Sequence, residues 1–452
     1  MQWFTAIYKR KKMELTKLLD YCFAATVRFL AVGAQLFLVL VVSRTLSPAE
    51  SGSFFLALGV VSVLAAVSTL GIENLLIVKV STGNYKSLKQ RIELCLYLVA
   101  PMILLSFIAS LGIAEFFTGW GGFVYDGSYP ILLQTNIIYI MSAITGTVLL
   151  ASAIQGLGQV NLSIMVARVF LPLSVAVIVA TDNPPTFQRV SAIYETMAWT
   201  TLVGTVFVFA VVRYSKSLLN SSSKASQQIE NKLDKCEVTA LIIIAISSQI
   251  LIWSGTLLGG ILLGNEAASI LLVVQRCVLA INFVLITLNA IDAPKFARAY
   301  SNGDIESLQQ RAETSAKLAV FFGTLIFIIF LYFANDILLV FGEEYYGNQH
   351  LVWILSIATL FNCMCGPVNT LLMMTNNRKI SALSAVVCLT VIWVTSELLA
   401  PVWGVLGVVV GISLGILMRN LVDVYFVWKK LGFVVFFPTL VKCFYRQKNF
   451  DA

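Results

Sequence analysis

Runs of about twenty apolar residues, separated by short polar breaks, dominate this chain of 452 residues. One such run is enough to carry a helix across a bilayer. Twelve are present: Cys22–Val42, Ser53–Val78, Leu94–Phe117, Pro130–Ile154, Val160–Ala180, Ala192–Arg213, Val238–Leu262, Ala267–Ile291, Leu318–Ile337, Leu351–Thr375, Ile380–Leu399 and Val402–Val427. Their apolar character is continuous rather than alternating, which predicts helices and not a β-barrel. Hydrophobic residues reach 58% and charged residues only 12%, half the usual charged share of about 25%. That composition cannot clothe a water-soluble globule, and it is too apolar for a disordered chain. Eight Cys, most of them inside the apolar runs, do not make a secreted disulfide scaffold. The expected fold is therefore all-α and membrane-embedded, with about 12 transmembrane helices. The first twelve residues hold no apolar core with a small-residue cut site, so no cleavable signal peptide is expected.

Lys and Arg set the orientation. Twelve spans divide the polar segments into two alternating sets. The set containing both termini, the loop with Lys79 to Arg91 and the segment after Arg213 holds 25 of the 31 basic residues. The opposite set holds only Arg44 and Arg189, and Arg28, Arg168, Arg276 and Arg419 lie inside spans. Both termini are thus expected in the cytoplasm. The net charge of +8 reflects topology and attraction to membrane lipids, with no nucleic-acid partner implied.

The chain divides in two. Residues 214–236 form the longest strongly polar stretch between spans, with Ser221-Ser222-Ser223 and Gln227-Gln228 reading as a flexible linker. The expected organisation is a basic N-terminus (1–21), a six-helix bundle (22–213), the linker (214–236), a second six-helix bundle (237–428) and a basic tail (429–452). Each half also carries similar local text after its second span. Residues 83–91 read Gly-Asn-Tyr-Lys-Ser-Leu-Lys-Gln-Arg, and residues 303–311 read Gly-Asp-Ile-Glu-Ser-Leu-Gln-Gln-Arg. Five of these nine positions match. An even number of spans per half makes this a parallel repeat about an axis along the membrane normal. Chance similarity between two amphipathic loops is the alternative. Two bundles around a central cavity are the architecture of an alternating-access transporter.

Enzyme machinery is hard to find. Outer loops stay within about 15 residues by these boundaries, too short for the large catalytic loops of polysaccharide polymerases and ligases. No GxxxxGK[ST] phosphate loop is present. The single His, His350, shares a loop with Glu343 and Glu344 and reads as solvated. Cys363 and Cys365 sit two residues apart on a helix, so they point to different faces and read as packing rather than metal ligands. No cofactor is expected beyond a coupling ion, Na+ or H+.

The intramembrane arginines carry the chemistry. A guanidinium at a helix centre costs about 2.5–3.5 kcal/mol or more. Arg28 lies in the first span with Gln35 two turns further on the same face, and that span contains no acid. Arg276 lies near the middle of the eighth, beside Gln275, with no acid before Asp292. Such cations call for an anion, and guanidinium forks match phosphate oxygens. Each has a plainer reading. Arg419 has Asp423 at i+4 and is expected to pair with it. Arg168 is two turns from a span end and can snorkel, and Arg44 suits an interface anchor. Glu73 and Asn74 are possible partners for these arginines. Gly404, Gly407, Gly411 and Gly415 form a close-packing stripe. Pro367, with Asn362 and Asn369, is expected to kink the tenth span. A tight turn is expected near Ala400, and the tail reads as an interfacial segment.

The stretch Arg44-Thr-Leu-Ser-Pro-Ala-Glu-Ser-Gly-Ser-Phe54, followed by an apolar span and Leu70-Gly71-Ile72, resembles the first-to-second helix signature of polysaccharide transporters. These form a branch of the multidrug/oligosaccharidyl-lipid/polysaccharide exporter superfamily. The second half echoes it in Leu263-Gly264-Asn265-Glu266-Ala267-Ala268 and Asp292-Ala293-Pro294, with Ser269-Ile270 where the family has Gly-Tyr. The resemblance implies a V-shaped central cavity in the bacterial inner membrane. It also implies flipping of undecaprenyl-pyrophosphate-linked oligosaccharide repeat units for O-antigen, capsule or exopolysaccharide synthesis. A polysaccharide polymerase and a chain-length regulator are the implied partners. On this resemblance Arg28 and Arg276 hold the pyrophosphate, with Gln35, Gln275, Arg168 and Arg44 as further cavity residues. A cation-coupled multidrug exporter of the same architecture is the alternative, although the first six spans are poor in mid-span acids. A non-transporting membrane scaffold of a glycan assembly complex is the third reading.

Overall fold

The computed structural model describes residues 26–69, 73, 130–182, 186–219 and 235–435; within these, the side chains of 130–139, 213–219 and 235–238 are left aside. The described residues are helical, with no strand among them. The helices are α1 (Thr26–Thr45), α2 (Pro48–Thr69), α3 (Pro130–Gly156), α4 (Val160–Thr181), α5 (Phe187–Leu219) and α6 (Lys235–Leu263). They continue with α7 (Asn265–Ser301), α8 (Ile305–Leu339), α9 (Gln349–Cys365), α10 (Val368–Met374), α11 (Arg378–Trp403) and α12 (Val405–Leu431). Nine of these are long and apolar enough to cross a membrane. Helices α9 and α10 pass that test only together, bent by 46° at Gly366-Pro367. With that pair and α3, eleven of the twelve expected spans fall on described helices. The third expected span (94–117), the basic N-terminus, the first copy of the repeated motif, Asn74 and the tail beyond 435 lie outside the described residues.

Helix ends differ from the sequence reading. Helix α5 runs on to Leu219 and α6 starts at Lys235, so both intrude on the expected linker. Lys295 and Arg298, beyond the expected end of the eighth span at Ile291, lie on α7, which passes through Pro294 without stopping. The turn expected near Ala400 lies at Gly404, whose φ of +57° suits glycine, and Pro401 stays inside α11. The kink at Pro367 is present: proline removes a backbone donor there, and Gly366 turns at φ +70°.

The resemblance motif is a helix start. Ser47 caps α2 and Pro48 occupies its first turn. Ser47 N–H and Oγ donate to Glu50 Oε2 at 3.2 and 2.9 Å, and Glu50 N–H donates to Ser47 Oγ at 3.4 Å, a capping box. That start aims Ser51 and Gly52 at the second half. Gly52 lies against the Asn265 carbonyl with no room for a Cβ. One turn on, Leu56 packs over Gly260, and a Cβ on Gly59 would sit 3.2 Å from the Trp253 ring. The halves therefore meet along one face of α2, at i, i+4 and i+7, against α6 and α7. We call this end of the molecule, opposite the end of α5 at Leu219 and the start of α6 at Lys235, the far side, and the other end the linker side.

Hydroxyls fasten the same end. Ser51 and Ser269 Oγ are 2.8 Å apart, and Ser269 Oγ is 2.6 Å from the Tyr345 hydroxyl, all three buried. Arg44 Nε donates to the Val340 carbonyl at 2.6 Å, tying the end of α1 to the end of α8. Toward the linker side, Phe29 of α1 meets Phe283 of α7 edge-on at 5.8 Å. Of the expected glycine stripe, Gly407, Gly411 and Gly415 pack against the α11 backbone and side chains, whereas Gly404 is the turn, where a Cβ would meet nothing within 4 Å.

Candidate functional site

Arg276 is 7% exposed, about a third of the way along α7 from its far-side start. Its guanidinium carbon lies 4.9 Å over the Trp253 ring of α6, and its Nε has no hydrogen-bond partner. The ion pairs among the described residues include Arg189–Asp182 at 3.2 Å and Lys295–Asp292 at 2.8 Å, and no acid among the described residues pairs with Arg276. The aromatic face offsets part of the cost of burial. The remaining donor capacity is unmet, and an unmet charged donor in a low-dielectric setting is costly.

Gln275 adjoins it. Its Nε2 donates to Ser254 Oγ at 3.5 Å, and its Oε1 is buried without a partner. Gly255 makes the space, since a Cβ there would lie 2.7 Å from that oxygen. Trp253 in turn rests against Gly59 of α2. Arg276, Gln275 and Trp253 thus stand beside the seam between the two halves, where any relative movement of α2 changes their surroundings.

A polar stripe continues from this point. Gln275, Asn282 and Asn289 recur every seven residues, which keeps them on one face of α7. Asn282 Oδ1 accepts from Asn362 Nδ2 of α9 at 3.0 Å, and Asn289 Oδ1 is buried and unpartnered. The heptad spacing was present in the sequence and identifies the stripe. The sequence reading stopped at Gln275 because amides attract less notice than arginines.

The other candidates are dispersed. Arg28 is half-buried with Gln35 on the same face of α1, and no acid pairs with it among the described residues. The Phe29–Phe283 contact lays this part of α1 beside α7, seven residues and about 10 Å toward the linker side of Arg276. Arg168 is exposed within a π-turn, Val166–Phe170, close enough to Glu73 for electrostatic attraction. Arg44 sits at the far side on the Val340 carbonyl, away from Arg276.

One expected pair does not form. No ion pair within 4 Å joins Arg419 to Asp423 among the described residues, although the guanidinium is near enough to attract the carboxylate. Asp423 is 1% exposed and instead accepts from Asn369 Nδ2 at 3.3 Å, while Ser381 Oγ donates to Asn369 Oδ1 at 3.3 Å. The break at Pro367 swings Asn369 onto α12, and that tertiary contact prevails over the helical i+4 pair. The other Asp423 oxygen, Oδ1, is buried without a hydrogen-bond partner. Cys363 and Cys365 are both buried, with Cys363 Sγ 3.6 Å from the Ile281 carbonyl, and no cluster of metal-ligating side chains occurs among the described residues.

No known family profile and no curated protein matches the chain. Solved structures do. An inward-facing multidrug resistance MATE family transporter of the MOP superfamily superposes with a TM-score of 0.65 at 15% identity, covering 90% of this chain and 98% of its own. The lipid II flippase MurJ in an inward closed conformation gives 0.62 at 12%, covering 89% and 87%. A MOP superfamily transporter from Pyrococcus furiosus, described as having a binding pocket of reverse polarity, gives 0.62 at 14%, covering 92% and 94%. The chain has the two-bundle helical fold of these transporters and is a multi-pass membrane protein.

Proposed function

We propose that this chain flips lipid-linked oligosaccharides by alternating access, as a polysaccharide-transporter member of the MOP superfamily in the bacterial inner membrane. The carrying observation is Arg276, buried on Trp253 at the seam between the halves, with no ion-pair partner among the described residues and an unmet Nε. A diphosphate supplies the missing anion, with Arg28 as the second contact nearer the linker side. Gln35, Gln275 and the α7 stripe offer amides to sugar hydroxyls, and Arg168 and Arg44 flank the path. The two six-helix domains, 22–213 and 237–428, rock about the seam, with both termini cytoplasmic. The function is transport rather than catalysis, in concert with a polymerase and a chain-length regulator, for O-antigen, capsule or exopolysaccharide.

The test is Arg28→Ala combined with Arg276→Ala. Surface polysaccharide is expected to disappear while membrane insertion persists, and reconstituted vesicles should stop moving a fluorescent undecaprenyl-pyrophosphate sugar. Normal polysaccharide in the double variant removes the mechanism.

Asp423 favours a second reading, a cation-coupled exporter. Asp423 has Asn369, Ser384 and Arg419 around it and keeps one buried oxygen without a hydrogen bond; an intramembrane carboxylate suits a proton or a metal cation, so Na+ or H+ coupling is proposed for either substrate. A drug-susceptibility change on deletion, with unchanged polysaccharide, selects the exporter.

A further inference from the structure

The repeated motif 303–311 has work left over once the fold is satisfied. Gly303 turns at φ +73°, Asp304 caps α8 by accepting from Ser307 N–H at 3.0 Å, and Leu308 is fully buried. Of the five residues shared between the two copies, Gly303 and Leu308 are explained by turn and core. The other three, Ser307, Gln310 and Arg311, line a cavity of about 400 Å³ between α7 and α8, which Lys295 and Thr314 also line.

The charge of this cavity is positive. Asp292 also reaches it but is already satisfied, by Lys295 Nζ at 2.8 Å and Ser315 Oγ at 2.7 Å. Arg311 is exposed and has no ion pair among the described residues, and the Lys295 ammonium keeps two donors beyond the one given to Asp292. A guanidinium, an ammonium and a serine hydroxyl converging on one small space match the oxygens of a phosphate.

The setting selects a phosphate attached to acyl chains. Among described helices α8 packs mainly on α7 and α9, so its remaining face is open. Along that face, Ser307, Arg311, Thr314 and Leu318 continue at helical spacing into Phe321, Leu325 and Tyr332, of which Phe321 is 67% and Tyr332 77% exposed. Charged donors at the linker-side end and exposed apolar side chains below form the outline of a phospholipid standing in the bilayer.

We propose that the cavity between α7 and α8 is a binding site for the phosphate headgroup of an anionic phospholipid, separate from the Arg276 site. The test uses the full chain in phosphatidylcholine nanodiscs titrated with phosphatidylglycerol, with bound lipids counted by native mass spectrometry. Wild type is expected to retain phosphatidylglycerol over phosphatidylcholine. Arg311→Gln should weaken that preference about fivefold, Arg311→Lys should keep most of it, and Arg276→Gln should leave it unchanged. Arg311 is exposed, so its variants are expected to fold, which a monodisperse elution profile checks. An unchanged preference in Arg311→Gln overturns the assignment. So does loss of the preference in Arg276→Gln alone, which places the lipid centrally. Displacement of the lipid by inorganic phosphate at matched concentration overturns the lipid as occupant and makes the site one for free phosphate.

Discussion

A guanidinium held in a helix bundle without a carboxylate weakens the fold that holds it, because desolvation exceeds what one aromatic face returns. Methionine fills a similar volume without that penalty. Arg276→Met is therefore expected to leave stability unchanged or raise it by about 1–4 kcal/mol while abolishing transport. Reversible unfolding in bicelles, paired with a flipping assay, checks both halves of the statement. A loss of several kcal/mol instead makes Arg276 a structural residue clasped by Trp253. Asp423→Asn offers the parallel test. An amide there can still accept from Asn369, so the fold should persist while any dependence of transport on Na+ or on a proton gradient disappears; retained ion dependence rules the residue out. The two residues were unequally legible. Arg276 announces itself as a cation amid apolar neighbours. Asp423 has Arg419 four residues away, a spacing that always looks like a pair. Only the bend at Gly366-Pro367 reveals Asn369 as its neighbour.

Helices in this chain could be located from hydropathy alone, because lipid leaves no other way to satisfy the backbone. Their ends could not. Polar residues such as Lys295 and Arg298 look like loop, yet the α7 hydrogen-bond ladder continues under them as far as Ser301. Proline at 401 looks like a turn, yet the break waits for Gly404. Small-residue spacing was readable, since 407, 411 and 415 recur on one helix face, and its consequence is the close approach of α11 and α12. At Gly411 a Cβ would collide with Ser396 Oγ and lie 2.9 Å from Thr395 Oγ1. Gly411→Leu is expected to cost about 1–3 kcal/mol or more by forcing those helices apart. At Gly204 on α5 a Cβ meets nothing within 4 Å. Gly204→Ala is expected to gain about 0.5–1 kcal/mol from helix preference alone. Thermal unfolding of the pair of variants measures the contrast, and equal shifts of one sign would mean that α11 and α12 do not pack on the stripe.

Among the described residues the two bundles share one apolar core, and at the far side hydroxyls and small residues face each other across it. Ser51 and Ser269 come from corresponding helices of the two halves, α2 and α7, and Ser269 stands where the resembling family places glycine. Their hydroxyls share Tyr345, while Gly52 and Leu56 interlock with Asn265 and Gly260. None of these contacts is an ion pair. The hydroxyl contacts are each worth about 0.5–1.5 kcal/mol, and the rest of the seam is a buried apolar cluster that runs from Phe55 of α2 to Leu271 of α7, so a ligand opens this end only through its differential affinity for the parted state. The sequence showed the two halves and the helix-start motif. It did not show the seam, which depends on which small residues face each other across helices far apart in the chain. If transport requires the far side to open, a covalent tie across it must stop the cycle. In the Ser51→Cys, Ser269→Cys double variant the new thiols replace oxygens 2.8 Å apart, close enough for a disulfide after slight rotation. Oxidation is expected to form the bond and halt flipping, and a reductant should restore it, with each single variant unaffected. Full activity with the bond intact, verified by mass spectrometry, would show that the halves do not separate at this end, and the seam would then be a fixed joint.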